Sequence, residues 1–188
     1  MSVAPRRPRA DVARNRELLL SAARAAFAGG EAVALEAIAR DAGVGIGTLY
    51  RHFPTRDALV EAVYGAELDG VVEAASGVLA ELPPDLALRA WLARYAEFVA
   101  TKRAMMDTLR AGWASGRITT PATRERITAV LATFLAEGAR TGTLRADVEP
   151  DDVAAMLLGV FLSTAGGPPG QPVRLLDLLV DALRAAPR

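Results

Sequence analysis

Thr48, Tyr50, Arg51, His52 and Arg56 fall within nine consecutive positions, none of which holds an acid. All five side chains donate hydrogen bonds, and Arg51 and Arg56 are permanent cations. Such a cluster suits contact with a polyanion. Hydroxyl, imidazole and guanidinium groups bind phosphate oxygens, and Arg51 can also reach a guanine edge in a major groove. Catalysis has less to draw on. His52 is the only histidine and cysteine is absent. Disulfides and thiolate metal sites are thereby excluded, and no serine stands in a nucleophile-elbow setting. Gly43, Gly45 and Gly47 follow no strand and lack the spacing of a dinucleotide-binding loop. Asp147, Glu149, Asp151 and Asp152 can mimic a cation site, but acids at a helix start are ordinary. The chain is read as a non-enzyme with no catalytic residue, no metal ligand and no cofactor.

The elements that must position this cluster are helical. The pattern predicts an all-α fold of about nine helices, since no segment combines β-branched alternation with hairpin turns. A first helix over about residues 12–28, capped by Asp11, puts Leu19, Ala22, Ala23, Ala26 and Phe27 on one face. A second, over about 35–42, turns Leu35, Ile38, Ala39 and Ala42 inward. Gly43 supplies the positive φ of a tight turn. A short third helix over about 46–53 then carries the polar cluster, with Val44 and Leu49 facing the packing seam. Pro54 ends it. Thr55 caps a long fourth helix over about 56–82, whose N-terminal amides favour an anion.

Charge is unevenly distributed. Residues 1–56 hold nine arginines and five acids, and the remainder holds thirteen basic and seventeen acidic residues, so a net charge of zero hides a basic end. A basic end on an acidic protein suits a polyanion partner there. Residues 1–10 are rich in Pro and Arg and are expected to form a disordered tail that enters a flanking minor groove.

On these residues the chain resembles the TetR family of regulators. The resemblance lies in Arg16 to Phe27, in Ile38 to Val44, in Thr48 to Phe53 with its Thr-Leu-Tyr-x-His-Phe pattern, and in Arg56 to Leu59. It implies a helix-turn-helix over about 35–54 within a DNA-binding domain over 11–58, and a ligand-sensing and dimerisation domain over 59–188. By the resemblance, Thr48, Tyr50, His52 and Arg56 hold phosphates of double-stranded DNA, and Ile46, Gly47 and Arg51 lie nearest the bases. Two positions depart from the family pattern. Ala34 stands where a Thr usually caps the second helix, which loses about 1 kcal/mol of capping. Gly45 stands where a Ser or Thr usually opens the recognition helix.

Further along, Pro83 and Pro84 break the chain before a fifth helix, with a sixth or its continuation over about 103–114. A seventh runs from Thr120-Pro121 to about Ala139, an eighth from Asp151 to about Ala165, and a ninth over about 173–185. The stretch from Arg89 to Arg110 resembles the SbtR-like C-terminal domains, which sense a small molecule in a cavity between helices. Trp91, Phe98, Met105, Met106, Trp113, Phe134 and Phe161 are candidate lining, although a Met and aromatic stripe at helical spacing is more often plain core. Tyr95, Glu97, Asp107 and Arg110 are candidate polar groups for orienting an effector. The eighth helix carries Val153, Met156, Leu157, Val160 and Phe161. The ninth is apolar on more than one side, through Leu175, Leu176, Leu178, Leu179, Val180 and Leu183. Such helices need burial on more than one face. A homodimer interface is expected from Val153, Met156, Leu157, Val160, Leu175, Leu176, Leu179 and Leu183, because two recognition helices read a palindrome about one turn apart.

No apolar run is long enough to span a bilayer, and Arg6, Arg7 and Arg9 are not followed by the apolar core of a signal peptide. The expected setting is cytoplasmic, with no membrane partner. The reading is therefore a ligand-responsive regulator, in most family members a repressor released from a palindromic operator. The alternatives are a helical small-molecule-binding protein with weak or lost DNA binding and, further off, an enzyme.

Overall fold

The computed structural model describes residues 8–28, 34–118 and 122–186. Among them lie nine helices and no strand: α1 (Pro8–Ala28), α2 (Leu35–Asp41), α3 (Ile46–His52), α4 (Arg56–Glu81), α5 (Pro84–Ala104), α6 (Met106–Ala114), α7 (Thr123–Thr141), α8 (Pro150–Ser163) and α9 (Gln171–Leu183). The all-α expectation holds. α1 begins earlier than its apolar face suggests, so Asp11 lies in its first turn and is not its cap. Pro8 therefore belongs to a helix and not to a tail, as an N-terminal helical turn tolerates a missing N–H. Residues 1–7, which carry most of the expected tail, lie outside the described residues, as do Thr120 and Pro121.

The chain divides into two compact units. The first comprises the described residues up to Ala66 together with 100–118. Its core is built on Leu19, Ala23 and Phe27 of α1, Ile38 of α2, Leu49 of α3 and Leu59 and Val63 of α4, all almost completely buried. The i, i+4, i+8 spacing on α1 is what allows one stripe to meet α2. The second unit comprises 67–99 and 122–186. There α8 packs against α7 and α9. Arg89 pairs with Asp177 at 3.2 Å and Asp181 at 3.0 Å, and Arg184 pairs with Asp181 at 3.0 Å and Asp85 at 3.1 Å. These ions tie the start of α5 to α9. An antiparallel bridge, Leu144 to Arg184, fastens the α7–α8 connection to the end of α9.

The same device ends α6 and α7. Gly116 and Gly142 adopt left-handed φ values of 69° and 72°. Arg117 and Ile118 both donate their N–H to Gly112 O, and Thr143 and Leu144 both donate to Gly138 O. The chain thus folds back over the last turn in a Schellman-like cap. Ile118 and Leu144 are buried against the helix they have just left. A methyl at Gly112 would overlap the Ile118 side chain, and one at Gly138 would lie 2.5 Å from Leu144. Glycine at the first position makes room for the apolar residue six places on. The sequence 112–118 therefore matches 138–144 in geometry, where the residue pattern had suggested only a loop and a connection.

Candidate nucleic-acid interface

α2 and α3 form two short helices joined by a tight turn. Gly43 has φ 67°, the left-handed value the turn requires. Val44 N–H returns to Ala39 O at 3.0 Å and closes the turn. Ile38, Ala39 and Leu49 are buried between the two helices and the rest of the unit. Val44, expected at the seam, is only half-buried.

Burial of Leu49 fixes which face of α3 looks outward. Ile46 and Tyr50 are exposed, at 38% and 46%, and Gly47 and Arg51 are exposed beside them. Thr48, His52 and Arg56 are half-buried. Arg51 Nε donates to Gly47 O at 3.2 Å, which lays the guanidinium along the helix. A Cβ on Gly45 or Gly47 would meet nothing within 4 Å, and neither has positive φ. The fold does not require glycine at these sites, so the smooth backbone there is available to an approaching partner.

The helix starts sort as expected. Ala34 and Gly45 have extended N-cap backbones without a side-chain cap bond. Their carbonyls do the remaining work: Ala34 O accepts from Ala37 and Ile38, and Gly45 O from Thr48 and Leu49. Thr55, by contrast, caps α4 through its hydroxyl, which accepts Ala58 N–H at 3.1 Å. Two cation–π contacts brace the assembly from behind. The Arg16 guanidinium lies 5.6 Å from the Phe53 ring centre, and that of Arg56 lies 5.6 Å from Phe27. The ends of α3 and α4 are thereby held to α1. No spacing rule in the sequence couples these pairs.

The aromatic and Met residues expected to line one cavity fall into the two units. In the second unit, Trp91 stacks on Tyr95 at 5.5 Å and meets Phe134 at 5.6 Å, while Tyr95 meets Phe98 at 5.9 Å and Phe161 at 5.6 Å. Trp91, Phe98 and Phe134 are at most 2% exposed, and Trp91 Nε1 donates to Val71 O at 2.8 Å. This is closed core. In the first unit Met105 is buried, Met106 and Trp113 are half-buried, and Arg110 is exposed, as is Asp107. Trp113 meets Tyr64 edge-on at 6.2 Å. Glu97 is exposed on the second unit. Tyr64 and Lys102, which join Trp113 in a cluster, had no signal in the residue pattern.

The expected interface residues are also redistributed. Val153, Leu157, Leu176, Leu179 and Leu183 are at most 4% exposed within their own chain and cannot present a surface. Leu175 and Val160 are half-buried. Only Met156 of the eight is exposed, at 51%. The large apolar side chains left exposed are instead Met156, Leu158 and Leu162 on α8 and Val173 and Leu178 on α9. The helical stripe was displaced because α8 is apolar on both faces, so composition alone did not fix which side the core takes.

Comparisons with known proteins agree with this geometry. Residues 19–63 match a family described as bacterial regulatory proteins, tetR family, and residues 83–185 match the SbtR-like C-terminal domain of transcriptional regulators. A crystal structure of a TetR transcriptional regulator from Streptomyces coelicolor is 42% identical, covering 92% of this chain and 99% of that one, with a TM-score of 0.82. A TetR transcription regulatory protein from Mycobacterium vanbaalenii is 34% identical, covering 94% and 99%, with a TM-score of 0.73. No curated protein matches the chain.

Proposed function

The chain belongs to the TetR family of transcriptional regulators, with an SbtR-like C-terminal domain, and from that premise we propose that it is a repressor released from a palindromic operator by a small molecule. DNA binding and ligand response come with the family; the sign of regulation, the operator symmetry and the residue roles are the proposal. The observation that carries it is the outward row of α3. Ile46, Gly47, Tyr50 and Arg51 are exposed together, without an acid, on a helix anchored by buried Leu49. Ile46, Gly47 and Arg51 meet bases, while Thr48, Tyr50, His52 and Arg56 meet phosphates.

Dimerisation is supported by the apolar face of α8 and α9, which no part of the chain covers among the described residues. Two copies joined there present two α3 helices to successive major grooves. The small molecule prefers an arrangement of the heads that does not fit DNA and so shifts the population. Among the described residues no helix is long and apolar enough to cross a membrane, and the proposed place of action is the cytoplasm, where the operator lies.

The test is selection of bound duplexes from a random pool. A recovered palindrome with half-sites about one turn apart supports the reading. Arg51→Ala should then relax preference at one base pair per half-site, and Arg56→Ala should weaken all duplexes alike and flatten the salt dependence. Recovery of no duplex would favour the helical binding protein that has lost DNA contact.

A further inference from the structure

We propose that the effector is a small organic acid whose carboxylate is held by Lys102 and Trp113 beside Tyr64. The proposal rests on the ligand-responsive reading above and gives that ligand its chemistry and its place.

The protein's two tryptophans are treated oppositely. Trp91 is buried and its N–H is satisfied by Val71 O at 2.8 Å. The Trp113 N–H is equally shielded from water and has no acceptor within reach. A shielded donor without a partner has given up hydration for nothing, and such groups are uncommon in folded proteins. Beside it stands Lys102, the only lysine of the chain's 22 basic residues. Its ammonium lies 5.4 Å from the Tyr64 ring centre and 5.9 Å from that of Trp113. Among the described residues no carboxylate pairs with it. Two donors, one of them charged, thus sit at one aromatic corner and share no acceptor.

A purely structural cation–π contact accounts for Lys102 but leaves the indole N–H orphaned. A neutral carbonyl would serve the indole and leave the ammonium without a counter-charge. A carboxylate serves both, through charge-assisted bonds, and the half-buried ring of Trp113, backed by buried Tyr64, offers its apolar body a surface. In the larger aromatic cluster around Trp91 the indole N–H already has its acceptor, Val71 O, and no donor is left over. The position is also suited to regulation. Trp113 lies on α6 four residues before Arg117, whose guanidinium holds Asp57 at 2.6 Å next to the phosphate-facing Arg56. Acid bound at Trp113 therefore acts on the helix whose C-terminal cap carries this link to the start of α4.

The experiment titrates full-length protein with sodium acetate, benzoate and 1-naphthoate, and with the amine counterparts ethylamine, benzylamine and 1-naphthylmethylamine, by calorimetry and tryptophan fluorescence. The expected result is binding of at least one acid about tenfold or more tighter than its amine. Lys102→Met should abolish that preference and Lys102→Arg retain it, while Trp113→Phe should weaken the acid severalfold with the circular dichroism spectrum unchanged. Equal affinity for acids and amines, an acid site insensitive to Lys102→Met, or no binding of any acid would overturn the proposal. Duplex selection is read separately. Acid binding without duplex recovery leaves this site standing and removes the operator reading, and duplex recovery without acid binding does the reverse.

Discussion

Arg117 Nε donates to Asp57 Oδ2 at 2.6 Å, across 60 positions of sequence. The pair joins the cap that ends α6 to the first turn of α4. Asp57 is 24% exposed and Arg117 59%, so the bond adds at most about 1 kcal/mol to stability. Its larger effect is electrostatic, because Asp57 adjoins Arg56. With Arg117 gone, an unpaired carboxylate would adjoin the phosphate proposed to lie at Arg56. Arg117→Ala should weaken duplex binding by about three- to tenfold at low salt and less at high salt, with little change in thermal midpoint. Adding Asp57→Asn should restore most of the affinity. Anisotropy titrations at two salt concentrations check this, and equal loss at both would assign the effect to folding instead.

The paired helix caps give a prediction about stability. Gly138→Ala places a methyl 2.5 Å from Leu144, and overpacking of this kind costs about 1–3 kcal/mol. Gly112→Ala should behave alike through Ile118. Leu144→Ala in the Gly138→Ala background should recover part of that cost, as the two side chains then fit. Gly47→Ala is the contrast. It meets nothing within 4 Å and should stabilise α3 by about 0.5–1 kcal/mol, yet weaken operator binding if bases approach there. Urea unfolding and duplex titration on the same variants separate the two effects.

How much of this was legible follows from the range of the interactions. The helix-turn-helix was readable because its signals are local: Gly43, Pro54 and the polar cluster all act within a few residues. The core faces of α1 and α7 were readable for the same reason, since Ile127, Val130, Leu131, Phe134 and Leu135 share one helical stripe and are all buried. What escaped was contact across distance. Lys102 over Tyr64, Arg117 on Asp57 and Arg16 over Phe53 depend on packing, which no spacing announces. The outer face of α8 escaped because both of its faces are apolar. The caps escaped differently: Gly112 and Gly138 look like ordinary helix glycines until the residue six places on is paired with each.

The α7–α8 connection supplies a pH dependence. Arg145 donates twice to Asp147, at 2.7 Å each, and holds its carboxyl from the ordinary 3.8 down to about 2, with help from an Asp147 backbone bond. Glu137 is lowered likewise by Arg140. A carboxyl depressed in the folded state stabilises it fully above the unfolded pKa and loses that contribution as pH falls through the folded value. The contribution of Asp147 should therefore be constant above about pH 4–5 and fade between there and about pH 2. Arg145→Ala should return its titration to near the ordinary value, read by carboxyl NMR shifts. An unchanged titration in that variant would leave the backbone bond as the cause.

The exposed apolar side chains of α8 and α9 test the proposed pairing of two copies. Leu162 is 68% exposed and Leu178 63%, and Leu158, one turn before Leu162, is exposed on the same side of α8. If a second copy covers that face, an arginine placed there is desolvated without a counter-charge, at a cost of several kcal/mol. A loss of about 3 kcal/mol weakens association more than 100-fold, enough to turn a dimer into a monomer at micromolar concentration. Leu162→Arg and Leu178→Arg should each sediment as monomers with an unaltered thermal midpoint at high dilution. Leu157→Ala, at a side chain only 1% exposed, should do the opposite: lose about 2–5 kcal/mol of fold stability while the remaining folded protein still pairs. The monomeric variants should bind a single half-site weakly and lose the dependence on half-site spacing expected of a dimer. Dimers persisting in both arginine variants would move the interface away from α8 and α9.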